Sequence, residues 1–391
     1  MMDSTIRNLI SPVVRDIQPS GIRKFFDYVD GKKDIISLGV GEPDFVTPKH
    51  ARDACIRSLE QGRTTYTPNA GLPELREAIA DYLDSSFQVR YDPADEVLVT
   101  VGSSEAIDLA LRAIVTPGDE VLVPVPCYIS YSPITALCGG RTVEIETHAE
   151  NQFKLTAEAL ERSLTPRSKV LILCYPNNPT GGIMTYEDWL PIARLVEEHN
   201  LLVISDEIYA ELTYEGSHVS LASVPGMKDR TIVVSGFSKG FAMTGWRVGY
   251  ACGHREVISA MLKIHQYTVM CAPMMGQIAA LESLRNGLEE KDYMIDSYNQ
   301  RRRMIVEGFR QLGLPCHEPL GSFYAFPSIA HTGLTSEQFA QGLLQQGKVV
   351  TVPGDVFGPG GEGFIRCSYA TSLSKLQEAL ERIRGYLSTL G

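Results

Sequence analysis

Lys239 stands just past a run of β-branched residues, in the stretch TIVVSGFSKGFAMTGWRVGY from Thr231 to Tyr250. Thr231 to Val234 reads as a buried strand. A lysine held at the end of such a strand is partly desolvated, which lowers its pKa and frees an amine to attack a carbonyl. Ser235, Gly236 and Ser238 precede it, and Arg247 follows eight residues later, beyond the turn signal Thr244-Gly245. Hydroxyls, a glycine and a guanidinium grouped in this way suit a phosphate. A carbonyl and a phosphate on one small molecule point to pyridoxal phosphate, held as a Schiff base on Lys239. Alone, a lysine between serine and glycine is more often a solvated loop residue, so the rest of such a site must be found elsewhere in the chain.

Asp206 ends the apolar run LLVIS, where a carboxylate is costly unless paired. It is either a capping aspartate or the partner of a pyridine nitrogen, keeping that nitrogen protonated so that the ring withdraws electrons. Tyr209, three residues on, would donate to the ring oxygen. Gly102-Ser103-Ser104-Glu105 lies where a strand meets a helix. Ser103 or Ser104 is expected to cap that helix, and its first N–H groups and hydroxyls suit an anion. Tyr128 follows another strand and is either core or a ring laid against a flat cofactor. Arg366 sits within a strand-like run, and its guanidinium fork matches the α-carboxylate of an amino acid; otherwise it is an edge-strand arginine. Gly41 would let backbone N–H groups approach a carboxylate closely.

Two look-alikes are set aside. Gly39-Val-Gly41 has no third glycine and Pro43 blocks a helix start, which excludes a dinucleotide fingerprint. Gly342 to Val349 nearly fits a phosphate-binding P-loop, but Val349 replaces the hydroxyl residue and the run reads as a helix ending at Gly347.

The elements that must position these residues alternate. Helical periodicity covers Ala51–Leu59, Leu75–Leu83, Glu105–Ile114 and Trp189–Glu198. Strands are expected at Val97–Val101, Val121–Val123, Val143–Ile145, Val170–Cys174, Val203–Ser205 and Ile232–Val234. The fold class is therefore α/β, a mostly parallel sheet with helices on both faces. Beyond Arg255 the chain is mostly helical, with short strands near Phe323–Phe326, Val349–Val352 and Phe364–Cys367 and a last helix at Leu373–Leu387. This shift divides the 391 residues into an N-terminal arm (1–47), a large domain (48–290) and a smaller α+β domain (291–391). A net charge of −11 argues against a nucleic-acid surface. Eight cysteines without a CxxC pair argue for reduced thiols in a cytoplasm and against a metal site or disulfide framework. No spanning run or leader is visible, so no membrane association is expected.

Together these parts resemble the class I/II aminotransferases, pyridoxal-phosphate enzymes of fold type I, and the aspartate/aromatic subgroup in particular. The resemblance runs from GEPDF at Gly41 to Arg366 and is carried by YTPNAGLPELREA at Tyr66–Ala78, NNPTG at Asn177–Gly181, SDEIY at Ser205–Tyr209, and FSKGFAMTGWR at Phe237–Arg247. It implies that Asn178 bonds the cofactor's ring oxygen and that Arg366 and the Gly41 backbone hold the substrate carboxylate. It further implies a homodimer in which Tyr66 reaches the phosphate of the partner's cofactor. Amino acid and 2-oxo acid substrates would alternate in a ping-pong cycle, with aspartate or aromatic amino acids as donors and 2-oxoglutarate as acceptor. N-acylated diamino acids are the alternative donors.

Two departures stand out. Many relatives carry a phosphate-contacting serine three residues before the lysine, where this chain has Gly236. No second arginine is identified for a dicarboxylic side chain, and the arm Ser20–Phe26 is expected to line the pocket. The competing chemistries on the same lysine are a C–S β-lyase and a cyclopropane-forming synthase. An effector domain of a transcription regulator would need a DNA-binding module that residues 1–47 do not supply.

Overall fold

The computed structural model describes residues 2–22 and 34–390. Its strands are β1 (Ile36–Ser37), β2 (Val97–Thr100), β3 (Glu120–Val125), β4 (Arg141–Glu146), β5 (Ser168–Cys174), β6 (Leu202–Asp206), β7 (Thr231–Gly236), β8 (Gly249–Cys252), β9 (Tyr324–Ala325), β10 (Val349–Val350), β11 (Val352–Pro353) and β12 (Ile365–Ser368). Seven form one sheet in the order β2-β8-β7-β6-β5-β3-β4. The pairs from β4 across to β7 are parallel, and β8 runs antiparallel to both its neighbours.

Buried side chains alternate between the two faces, as the pleat requires. Val121, Val123, Ile172, Ile204 and Ile232 pack with Ile107, Leu111, Ile258 and Met261 of the helices Ser103–Ile114 and Arg255–Thr268. On the other face, Leu122, Leu171 and Val203 meet Trp189 and Ile192 of the helix Tyr186–Glu198. Val97, Val99 and Val233 meet Leu75 and Ile79 of the helix Pro73–Phe87 and Ile278 of Met274–Asn286. Strands buried on both faces read as near-continuous apolar runs, which is why β5, β6 and β7 were legible. A further core gathers Ile305, Phe309, Phe339, Ile365 and Ile383 around the helices Leu288–Gln311 and Leu373–Leu387.

The expected α/β class holds, with corrections of detail. Strand β8, in the glycine-flanked stretch GYAC, was not expected; its identity comes from pairing on both sides. The run Val349–Val352 is two strands, because β10 pairs in parallel with β1 while β11 pairs antiparallel with β12. Neither Ser103 nor Ser104 caps its helix. Gly102, at φ 79°, holds the capping position without a side chain, and the helix starts at Ser103. The carboxylate of Glu105 instead accepts from the N–H of Val101, 2.5 Å away, which leaves both serine hydroxyls free of the capping role.

Candidate active site

Polar residues that follow strand ends converge on an open cleft of about 1810 Å³ at the carboxyl edge of the parallel strands, where ligands bind in open α/β sheets. Ser103 and Ser104 follow β2, Tyr128 follows β3, Asn178 follows β5, Asp206 ends β6, and Ser238 and Lys239 follow β7. Gly41, Tyr209, Arg247 and Arg366 complete the lining.

Lys239 is partly buried, and burial brings its amine down to about 8 from the ordinary 10.5, with the Arg366 and Arg247 cations acting in the same direction. Its Nζ donates to the Gly41 carbonyl at 2.5 Å. Asp206 is buried, which pushes its carboxyl up to about 6. Its Oδ2 accepts from the Tyr131 hydroxyl at 2.7 Å and its Oδ1 from the Ile208 N–H at 3.2 Å. The site thus places an amine poised near neutrality and a carboxyl that ionises far above its usual range in one cleft.

Arg366 is buried within β12. Its Nη1 donates to Asn178 Oδ1 at 2.9 Å and its Nη2 to the Gly39 carbonyl at 2.7 Å. Its guanidinium stands over the rings of Tyr324 and Phe357, 4.4 and 4.9 Å from their centroids. Among the described residues its Nε finds no acceptor, and that atom is itself sealed from the cleft. Each Nη nitrogen carries a second N–H and the residue lines the cleft, so the guanidinium is a binding group for an anion that enters. Asn177 folds the adjoining loop, its Oδ1 accepting from Thr180 N and Oγ1, so Asn178 alone of the two lines the cleft. Tyr209 and Tyr324 share a hydrogen bond between hydroxyls at 2.9 Å. Gly41 is required there, since a Cβ would collide with the Tyr324 hydroxyl.

The turn Gly102–Ser104 packs against β7 and β8. A Cβ on Gly249 would lie 2.5 Å from Ser103 N, and one on Gly102 would collide with the Arg247 guanidinium. Arg247 takes a left-handed backbone, φ 54°, that brings it to this turn, and its Nη1 donates to Thr244 O. A serine at 236 has no room: its Cβ would lie 2.8 Å from Gly249 Cα and 2.9 Å from Val248 O. Ser235 is no substitute, because its hydroxyl donates to the Glu207 carbonyl and it does not line the cleft.

Tyr66 lies outside this cleft and is 78% exposed. Of the arm, Ile17 to Ile22 line the cleft, whereas residues 23–26 lie outside the described residues.

The profile of the family Aminotransferase class I and II matches residues 33–383. A putative aminotransferase of Bacillus subtilis, YugH, is 54% identical over 97% of this chain and 98% of its own length. The aspartate aminotransferase of Pyrococcus abyssi is 44% identical over 95% of this chain and 96% of its own. The solved structure of the aromatic aminotransferase from Pyrococcus horikoshii superposes with a TM-score of 0.90 at 41% identity, covering 94% of this chain and 99% of that one. The chain belongs to the class I and II aminotransferases.

Like the other aminotransferases of this family, it uses pyridoxal phosphate, and the residues present fit that cofactor. An amine near neutrality, a buried carboxyl, and a helix start beside a guanidinium in a glycine-lined cradle match the carbonyl, ring nitrogen and phosphate of that cofactor in chemistry. Tyr131, Tyr324 and Phe357 went unrecognised in the sequence. Nothing in their flanking sequence marks them, and only the folded contacts with Asp206, Tyr209 and Arg366 single them out.

Proposed function

We propose that this aminotransferase moves the amino group of aspartate and aromatic amino acids to 2-oxoglutarate, with Lys239, Asp206 and Tyr209 at the reacting centre. The observation that carries this is the guanidinium of Arg366, with one N–H on each Nη left over from its protein contacts, in the same cleft as the depressed amine of Lys239. When bound, pyridoxal phosphate supplies a carbonyl that takes up the amino group and a ring that withdraws the electrons left at the substrate's α-carbon. Arg366, with the Gly41 backbone, holds the α-carboxylate and so orients the Cα–H toward Nζ of Lys239. The Lys239 amine removes that proton and holds it, as a base near neutrality can. Asp206 keeps a proton on the ring nitrogen, and Tyr209 with Asn178 bonds the ring oxygen. Ser103, Ser104, Ser238 and Arg247 receive the phosphate, and Tyr128 covers the ring.

The exposure of Tyr66 supports a homodimer in which it serves the partner's site. Exposed apolar residues Ile6, Leu9, Val46, Ile56 and Tyr267 support a further surface to be covered. Among the described residues, no helix is long and apolar enough to cross a membrane. Eight unpaired cysteines, six of them in the cores around the site and sheet, support a cytoplasmic setting. A division near the start of the helix Leu288–Gln311 is supported by the core gathered around that helix and Leu373–Leu387, which Ile208, Tyr209 and Leu212 of the large domain also join, beside the core of the large sheet. For side chains, the cations among the described cleft residues are Lys239, Arg247 and Arg366, beside apolar Ile107, Ile129 and Ile134.

The test is the visible absorbance of the cofactor-loaded protein, titrated with single amino acids and then with 2-oxoglutarate. Bleaching by aspartate or an aromatic donor, reversed by 2-oxoglutarate and absent in Lys239→Ala, is expected. Bleaching only by N-acylated diamino acids would move the donor assignment. Pyruvate and ammonia from a cysteine conjugate, without recovery by any 2-oxo acid, would replace it with a β-lyase.

A further inference from the structure

The turn that faces the cleft at Gly102 has support behind it. Thr100 Oγ1 donates to Gly102 O at 2.9 Å, and Gly102 N donates to Thr100 O at 2.9 Å. The N–H of Val101 is taken by one carboxylate oxygen of Glu105. The other carboxylate oxygen lies 2.8 Å from Nδ1 of His265, which is far away in sequence on the helix Arg255–Thr268. A glutamate side chain has several free torsions, and binding both of its oxygens removes them.

His265 is completely buried, and among the described residues its Nε2 has no partner. Facing a carboxylate oxygen, Nδ1 serves as the donor, and Nε2 is left desolvated and unbonded. Burying an imidazole in this way is unfavourable against a leucine or phenylalanine of similar size. The gain that offsets it is a charge-assisted hydrogen bond to Glu105, which an apolar residue could not make. His265 also anchors the chain beyond it, since its carbonyl accepts from Val269 and Met270 N–H groups at 3.0 Å.

We propose that Glu105 and His265 are positioning residues that hold the Gly102–Ser104 turn in the shape that receives the phosphate of pyridoxal phosphate. Neither residue lies among those lining the cleft, so each acts through the turn and touches no ligand. The inference rests on the phosphate assignment to Ser103, Ser104 and Arg247. Loss of the pair lets Val101 and Gly102 relax, and the anion then meets a turn that must be ordered at the moment of binding.

The experiment compares pyridoxal phosphate with pyridoxal, which lacks the phosphate, as ligands of the full-length protein stripped of cofactor. Fluorescence of Trp246, next to Arg247, reports binding. In His265→Phe and Glu105→Ala, the dissociation constant for pyridoxal phosphate should rise about tenfold or more, the factor carried by a lost hydrogen bond to a charged group. Affinity for pyridoxal should be unchanged, and inorganic phosphate should compete less well in the same proportion. Glu105→Gln, which keeps an acceptor for Val101 and loses the charge, should fall between and covers the case in which the harsher variants do not fold. If the variants weaken both ligands equally, or keep the full preference of the parent for pyridoxal phosphate, the pair has no positioning role and the inference is overturned. If the parent protein itself shows no preference for the phosphorylated ligand, the phosphate assignment fails, and the inference with it.

Discussion

The hydroxyl of Tyr131 lies 2.7 Å from Oδ2 of Asp206, and both residues are buried. The contact favours the charged carboxylate, whereas burial, the largest influence, favours the neutral acid. In Tyr131→Phe, the carboxyl therefore moves further above about 6. An acid whose folded pKa lies above its unfolded value is stabilising when protonated, and that contribution fades as pH rises through the folded pKa. The variant should thus lose roughly 1–3 kcal/mol at pH 8 and much less near pH 5, where Asp206 carries its proton in either protein. Denaturant unfolding of the cofactor-stripped protein at the two pH values measures this. An equal loss at both would mean that Tyr131 contributes packing alone.

Asp206→Asn follows the same logic with the opposite sign. The amide keeps partners for Tyr131 and Ile208 while removing a buried charge. The cofactor-stripped variant should gain roughly 1–3 kcal/mol at pH 8 and little at pH 5. Turnover should fall by at least about a hundredfold, because the ring nitrogen loses the group that keeps it protonated. A melting temperature lower than the parent's at pH 8 would contradict the assignment of a costly buried carboxylate.

Gly236→Ser looks like a repair, since it restores a hydroxyl that many relatives carry. The fold says otherwise. The new Cβ would press on Gly249 Cα and Val248 O across the β7–β8 ladder, both of them backbone. We expect a loss of roughly 1–3 kcal/mol in stability and no gain in affinity for pyridoxal phosphate. Tighter binding in a direct titration would show that the hairpin yields and that the hydroxyl reaches the anion.

How much could be read in advance depended on whether a residue's meaning was local. Asp206 was legible because it ends an apolar run at a strand end, where a charge needs a reason, and Lys239 because hydroxyls, glycines and an arginine gather around it just past a buried strand. Arg366 stood out in the same way. Tyr131, Glu105 and His265 were not, because their partners lie 75 and 160 residues away and nothing nearby marks the hydroxyl, carboxylate or ring as special. Strand β8 was missed because a short stretch with flanking glycines has no clear alternation, and only neighbours on both sides make it a strand. Gly236 looked like a lost contact when seen along the chain; across the sheet, it is what lets two strands meet.

The amine of Lys239 gives a pH signature. A neutral amine is the attacking form, and burial brings this one to about 8. The rate at which the stripped protein captures pyridoxal phosphate should climb through pH 8 and flatten above it. A rate still rising steeply at pH 10 would place the amine in water, with an ordinary lysine's acidity. Stopped-flow absorbance follows the capture directly.

Lys239 and Arg247 belong to one connection, the segment between β7 and β8, closed by the antiparallel ladder Gly236↔Gly249. Their separation is therefore set by a contact between chain neighbours and is available as soon as that hairpin forms. The grip proposed for the carboxylate is different in kind, since Arg366 meets Asn178 across 188 residues and Gly39 across 327. Closing loops of that length is slow and comes late. During synthesis, the half of the site proposed to anchor the cofactor can assemble while most of the C-terminal third is still unmade, whereas the half proposed to select an amino acid waits for β12, the last strand.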